Sequence, residues 1–335
     1  WSALLIVMKP VVMPAFCLIS GHLSRPELTP RRAYELAQIF VVYLIFQGLY
    51  HVNNLISFRI AGFAYPALPL QLFQPKAQVV TWFLFTLTSW RLALPAIVEL
   101  RFPLAISVGL GLCALLVDLG QNYQNVFSFL PYFVAGAVLP PRWFELLERP
   151  QVRWSLTAAM AAVAMTLAFF SAARGPRFVA FFSAVHDSYA CFSGIVPDSD
   201  PLMCTSPLQV LYRAAFYAGS VPLIAGFFCL LPHKVGVWTI PGFMSMYVYL
   251  IHPIIITNAA VMKVSFDLLS HLEGREVNVW SPADDGWALL LVFPAALLVC
   301  IALSTPVVRW LCWPLVQPPL HLLVNDEMRN AVVRP

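Results

Sequence analysis

Nine runs of mostly apolar residues, near 2–21, 34–56, 79–98, 103–119, 126–139, 154–172, 208–231, 238–262 and 286–311, constrain this chain more than any other feature. A hydrocarbon core about 30 Å thick takes roughly 20 such residues per helix, and a soluble core has no room for so many runs of that length. The fifth run is short. Composition agrees: 60% of the 335 residues are hydrophobic and 11% charged, with a mean hydropathy of +0.77, against about 25% charged in an ordinary soluble domain. A disordered chain, a nucleic-acid-binding domain and a disulfide-rich secreted module are excluded, because none carries so much apolar surface with so few charges. The reading is an all-α, polytopic transmembrane helical bundle over residues 1–311, followed by a tail at 312–335.

Orientation follows from the cations, since short cytoplasmic loops retain Lys and Arg. One set of alternate loops holds Arg25, Arg31, Arg32, Arg101, Arg142, Arg149, Arg153, Lys234, Arg309, Arg329 and Arg334, eleven in all. The other set holds Arg59, Lys76, Arg174, Arg177, Lys263 and Arg275, only six, in longer connectors. The loop after the first span and the C-terminal tail are therefore expected in the cytoplasm, and the connectors 57–78, 174–207 and 263–285 outside or in a lumen. Trp1 is not an initiator and no signal peptide is visible, so one further helix is expected upstream. Among seven cysteines there is no CxxC or Cys/His ligand pattern, which argues against structural zinc. Cys191 and Cys204 share the long outer connector, where a disulfide and two free thiols are both open readings. Cys17, Cys113, Cys229, Cys300 and Cys312 read as small apolar packing residues.

Ionisable groups inside a span cost roughly 2.5 to 3.5 kcal/mol each at the helix centre, so they are where function is sought. Arg91 lies well inside the third run; its guanidinium either snorkels to the interface or forms a fork for a phosphate or carboxylate. His252 lies in the eighth, where Pro253 frees a carbonyl one turn back. Ser245, Tyr249 and His252 fall at i, i+4 and i+7 on one helix face. There a neutral imidazole can act as a base, or serve as a structural helix-to-helix bond. His22, Arg25, Lys9, Asp118 and Arg213 sit near span ends and read as interfacial anchors. His186-Asp187 looks like half a hydrolase triad, with no Gly-x-Ser-x-Gly elbow to complete it.

Five segments in order resemble a known family. Met13-Pro14-Ala15-Phe16-Cys17-Leu18-Ile19-Ser20-Gly21-His22-Leu23 resembles the "MPLFFFISGYL" segment of the membrane acyltransferase type 3 family. Val42-Tyr43-Leu44-Ile45-Phe46-Gln47, Thr81-Trp82-Phe83-Leu84 through Trp90-Arg91-Leu92, Ser128-Phe129-Leu130-Pro131-Tyr132-Phe133 and Tyr249-Leu250-Ile251-His252-Pro253 are similar to later helices of that family. The nearest branch is that of the fucose 4-O-acetylases. The resemblance implies a ten-helix integral membrane enzyme that moves an acyl group, commonly acetyl, from acyl-coenzyme A to a hydroxyl of a sugar or related acceptor. Nine spans plus one upstream would give ten, with no metal and no nucleic-acid partner. The family's first helix carries an Arg and a His that this sequence lacks, so the principal base is expected upstream of Trp1. Arg25, Arg31 and Arg32 are implied as cofactor-binding residues for acetyl-coenzyme A, and His252, Tyr249 and Arg91 as the catalytic candidates. The alternatives are a secondary transporter or permease, with Arg91 and His252 lining its path, and a catalytically inactive relative that binds or scaffolds.

Overall fold

The computed structural model describes residues 2–60, 81–116, 121–174, 208–231, 236, 242, 244–256 and 286–320. Among the described residues every regular element is a helix: α1 Ser2–His22, α2 Pro30–Ile60, α3 Thr81–Val98, α4 Pro103–Cys113, α5 Gln121–Val138, α6 Arg142–Glu148, α7 Pro150–Arg174, α8 Leu208–Leu230, α9 Ser245–Ile256, α10 Gly286–Leu303 and α11 Pro306–Val316. The connectors with His186, Asp187, Cys191 and Cys204, together with Asp118 and the Lys9 side chain, lie outside the described residues.

Among the described residues four helical segments, Pro30–Ser57, Thr81–Val98, Pro150–Phe169 and Arg213–Leu230, are long and apolar enough to cross a bilayer, and a bent pair at the end of the chain makes five. They point to a membrane protein with several passes. The expected nine spans are thereby corrected, and the reasons are local. α4 has 11 residues, which at about 1.5 Å per residue is little more than half of a hydrocarbon core, and α9 is described over Ser245–Ile256. α5 carries Gln121, Asn122, Gln124, Asn125 and Ser128 in its first half, so an apolar run there is shorter than the helix. α10 does not continue straight into the following residues.

The chain divides into two compact units, Trp1–Glu27 with Ser89–His233, and Leu28–Thr88 with Lys234–Pro335. α3 lends Thr81–Thr88 to the second and Ser89–Val98 to the first.

In the first unit α1 packs against α5, α7 and α8, and α4 against α5. Lipid offers no hydrophobic drive for two apolar helices to associate, so close backbone approach at small residues decides where they cross. α1 and α5 meet at a pair of glycines: a Cβ on Gly21 would fall on the Phe133 carbonyl, and a Cβ on Gly136 on the Leu18 carbonyl. α8 approaches α7 in the same way at Gly226, where a Cβ would collide with Met160 and lie 2.9 Å from the Leu156 carbonyl. Trp90 of α3 stacks on Phe133 with ring centroids 5.0 Å apart, and its indole N–H donates to the Val126 carbonyl at 2.8 Å. Both rings are fully buried.

In the second unit Val42, Tyr43, Phe46 and Tyr50 of α2 pack with Leu84 of α3, Tyr247 and Leu250 of α9 and Val316 of α11. Their spacing on α2, at i, i+1, i+4 and i+8, is one helical face. The position 311/312, expected as the start of the tail, falls within α11, whose Val316 belongs to this core.

Candidate functional site

α9 is built to hold an imidazole. Pro253 has no N–H and its ring displaces the carbonyl of residue 249, so the helix loses its own bonds around this point. α2 bonds the same stretch from outside: the Tyr50 hydroxyl donates to the Leu250 carbonyl at 2.6 Å, and the Asn53 amide donates to the Ile254 carbonyl at 3.5 Å. Both donors come from one face of α2, at i and i+3.

On this helix the Nδ1 of His252 lies 2.8 Å from the Val248 carbonyl. A carbonyl only accepts, so Nδ1 carries the hydrogen and donates it, and in the neutral ring Nε2 carries the lone pair. Tyr249 stands beside it, with ring centroids 6.4 Å apart, and the far side of Tyr249 meets the edge of Phe83 at 6.1 Å. Both Tyr249 and His252 are half-buried, while Ser245 at the start of their stripe is exposed. Chemically this is an oriented base next to a phenol.

Tyr50→Phe removes a bond to the kinked helix without touching the imidazole. We expect it to lower stability by about 0.6 to 1.7 kcal/mol, the range for hydrogen bonds between membrane helices, read as a lower melting midpoint in detergent. A midpoint equal to the parent's would show that the kink does not depend on α2.

The remaining expected residues are placed elsewhere. Arg91, in the first unit, donates from Nε to Ser24 Oγ at 3.1 Å, and Ser24 in turn donates to the Ser20 carbonyl at 2.7 Å. Its guanidinium therefore sits at the C-terminal end of α1, where the helix presents its negative pole and its unpaired carbonyls. Two residues away His22 lies against Phe144, with ring centroids 4.7 Å apart. Arg25 is exposed in the same unit. Arg31 and Arg32 open α2 in the second unit, where Arg31 makes an exposed pair with Glu35 at 3.6 Å and the Arg32 backbone N–H donates to Thr29 Oγ1 at 3.4 Å. Such an exposed i, i+4 pair contributes a few tenths of a kcal/mol. The structure brings Tyr249 and His252 together in the second unit and holds Arg91 at the end of α1 in the first.

The residue that sequence reasoning misplaced is Arg213. Expected as an interfacial anchor, it is instead buried at 1% exposure. Its Nη1 donates to Ser128 Oγ on α5 and, at 3.3 Å, to the Gly111 carbonyl on α4. Around it the polar groups close on one another. Tyr217 donates to the Ser128 carbonyl at 2.9 Å, Ser128 to the Gln124 carbonyl at 2.7 Å, and Gln124 to the Ala114 carbonyl at 2.9 Å. Ser220 donates its one hydroxyl hydrogen to the Tyr217 carbonyl at 2.8 Å, so Tyr132, 2.7 Å from Ser220 Oγ, must be the donor of that bond. Gly111 is required here because the Tyr217 hydroxyl occupies the place a Cβ would take. Gln124 Oε1 and Asn125 Oδ1 are buried and accept no bond among the described residues.

This nest was readable in part. Arg213, Tyr217 and Ser220 fall at i, i+4 and i+7 on α8, and Gln124, Ser128 and Tyr132 at i, i+4 and i+8 on α5, two polar stripes on otherwise apolar helices. We expect Ser128→Ala to destabilise the protein more in the parent than in an Arg213→Met background, with a coupling of about 1 to 2 kcal/mol, because in the parent it strips an acceptor from a buried cation. Melting midpoints of the four proteins in detergent measure it, and additive shifts would show that the two side chains do not interact. Of the free cysteines, Cys17 and Cys229 are buried as expected of packing residues, whereas Cys113 and Cys300 are exposed. Among the described residues no three His, Cys, Asp or Glu side chains gather as a metal site. Comparison of the chain with protein-family models, with curated proteins and with solved structures finds no match.

Proposed function

We propose that this chain is an integral membrane O-acyltransferase that moves an acyl group, acetyl in the first instance, from acyl-coenzyme A to a hydroxyl of a sugar or related acceptor. The single observation that supports it is the fixed tautomer of His252. A hydrogen bond from Nδ1 to a carbonyl leaves Nε2 as the lone-pair nitrogen, in the segment that resembles the family's late helix. In this reading Nε2, in place of the base that the resemblance assigns to the family's first helix, takes the acceptor hydroxyl's proton as the oxygen attacks the thioester carbonyl. The tetrahedral oxyanion collapses, the C–S bond breaks, and the departing thiolate takes up a proton. Tyr249, a phenol beside the imidazole, is the donor available to the oxyanion. Arg25, Arg31 and Arg32 are carried as candidates for the phosphates of coenzyme A, and Arg91 as a catalytic candidate, on the resemblance alone. Their cytoplasmic placement, with that of the C-terminus, belongs to this proposal and rests on the distribution of Lys and Arg.

A second reading, a secondary transporter or permease, draws on a different observation: an arginine buried in the first unit, where the helices α5 and α8 carry Pro131 and Pro222 within them. One assay on the purified protein in proteoliposomes separates them. Acetyl-coenzyme A labelled in the acetyl group is supplied with a panel of sugars, and both free coenzyme A and sugar uptake are measured. Acceptor-dependent release of coenzyme A supports the transferase. Uptake without release supports the transporter and removes the first proposal.

A further inference from the structure

α10 and α11 meet at a 74° bend between Leu303 and Pro306. Pro306 lacks the N–H that would bond the Ala302 carbonyl, and the helix stops. The Thr305 hydroxyl donates to that carbonyl at 2.8 Å and the Ser304 hydroxyl to the Cys300 carbonyl at 2.7 Å, so side chains of the turn itself bond the end of α10. Before it, α10 has 18 residues of apolar character, which at about 1.5 Å each is close to the thickness of a hydrocarbon core. α11 is not needed to complete that crossing.

The two faces of α11 differ. Val308, Cys312 and Val316, at i, i+4 and i+8, turn toward the protein, with Val316 in the core of the second unit and Cys312 packed against it. On the opposite side Val307, Trp310, Leu311 and Pro314, at i, i+3, i+4 and i+7, form an exposed apolar stripe, with Val307 at 64%, Trp310 at 78% and Leu311 at 61% exposure. Trp313, also exposed, lies beside Trp310, whereas Arg309 lies on the other side of the helix next to Val316, within reach of Tyr247. Water is a poor neighbour for this stripe, and the stripe carries Trp310 with Trp313 beside it; tryptophan concentrates at the boundary between headgroups and acyl chains.

We infer that α11 is an interfacial helix, lying along the membrane surface in the leaflet that the C-terminal end of α10 reaches, with Val307, Trp310, Leu311 and Pro314 inserted among the lipids. The turn at Ser304–Thr305 converts a spanning direction into a surface direction. The buried stripe ties α11 to α9 and α2, so the membrane surface fixes the orientation of the very helices that carry His252 and the Tyr50 bond.

The test uses the full chain reconstituted in phosphatidylcholine–phosphatidylglycerol vesicles. Val307→Cys, Leu311→Cys and Pro314→Cys, each in a background whose native thiols are replaced, are spin-labelled and their depths read from oxygen and nickel-chelate collisions. A helix in the interface puts all three labels at one depth, about 5 to 10 Å below the phosphates. A helix continuing the span gives depths that change by about 10 Å from 307 to 314, and this would overturn the inference. Nickel-accessible labels that oxygen does not reach would place the stripe in water or at a protein groove, and overturn it equally. Should the thiol-free background fold poorly, the difference in fluorescence between the parent and Trp310→Phe answers the same question. Quenching strongest for lipids brominated near the headgroup end of the chain supports the interfacial helix; quenching strongest for lipids brominated near the bilayer centre, or none, overturns it.

Discussion

Gly136→Ala is expected to melt far below the parent protein, by an amount corresponding to about 3 kcal/mol or more. The added methyl would fall on the Leu18 carbonyl oxygen and lie 2.9 Å from the His22 backbone nitrogen. Both are main-chain atoms of α1, which cannot rotate away as a side chain would, so α1 and α5 must separate along their whole crossing. Overpacking of this kind costs about 1 to 3 kcal/mol even where side chains can yield. Against it stands only the helix propensity that alanine gains over glycine, up to about 1 kcal/mol. The clash wins. Gly48→Ala, Gly109→Ala and Gly219→Ala are the internal controls: nothing lies within 4 Å of a Cβ at any of them, so each should be neutral or stabilising by up to about 1 kcal/mol. Gly21→Ala, which meets the Phe133 carbonyl from the other side of the same crossing, should behave like Gly136→Ala. The double variant should lose less than the sum, because helices moved apart for one methyl already admit the second. Thermal melting in detergent reads all six. A Gly136→Ala protein that melts with its Gly219→Ala control would show that α1 and α5 are not in backbone contact.

His252→Ala carries the largest expected effect on activity. If Nε2 removes the acceptor's proton, its loss should lower acyl transfer by about 10²- to 10⁴-fold, the usual contribution of a positioned general base. His252→Gln should be no better, since an amide is not a base. Tyr50→Phe, which loosens the same helix yet leaves the imidazole, separates a structural defect from a chemical one. Loss of turnover in His252→Ala with an unchanged melting midpoint, beside an active Tyr50→Phe, is the predicted pattern. Turnover in His252→Ala within a few-fold of the parent, at equal amounts of folded protein, would remove His252 from the chemistry while leaving the transferase reading standing. Absence of acceptor-dependent coenzyme A release from the parent itself, across acyl donors and acceptors, would remove the reading.

Most side chains that face lipid and most that face the protein interior are apolar, and this decides what could be read in advance. Hydropathy over windows of about 20 residues separates a membrane chain from a soluble one, and it did so here because every long apolar run expels water in the same way. It also pointed to α9, since Pro253 and His252 are anomalies that need no neighbour to be noticed. Hydropathy does not say whether an apolar residue faces lipid or protein, nor whether a helix ends before the bilayer does. So the runs over α4 and α5 looked like spans although the first of those helices is short and the second begins with a polar stripe.

Arg213 shows the limit most clearly. From its position near the start of a long apolar run, an arginine reads as an anchor. Its burial is set by Ser128 and Gly111, 85 and 102 residues away in sequence, on helices that no local pattern places beside it. The bend before α11 was written locally, in Ser304, Thr305 and Pro306; its exposed stripe acquires meaning only once Val316 is found in the core. Sequence alone therefore determined the solvent this protein lives in, the helical class that hydrocarbon imposes, and which ionisable groups stand out against it. The tertiary structure decided which of those groups are enclosed, because enclosure depends on bonds and backbone contacts between segments far apart in the chain.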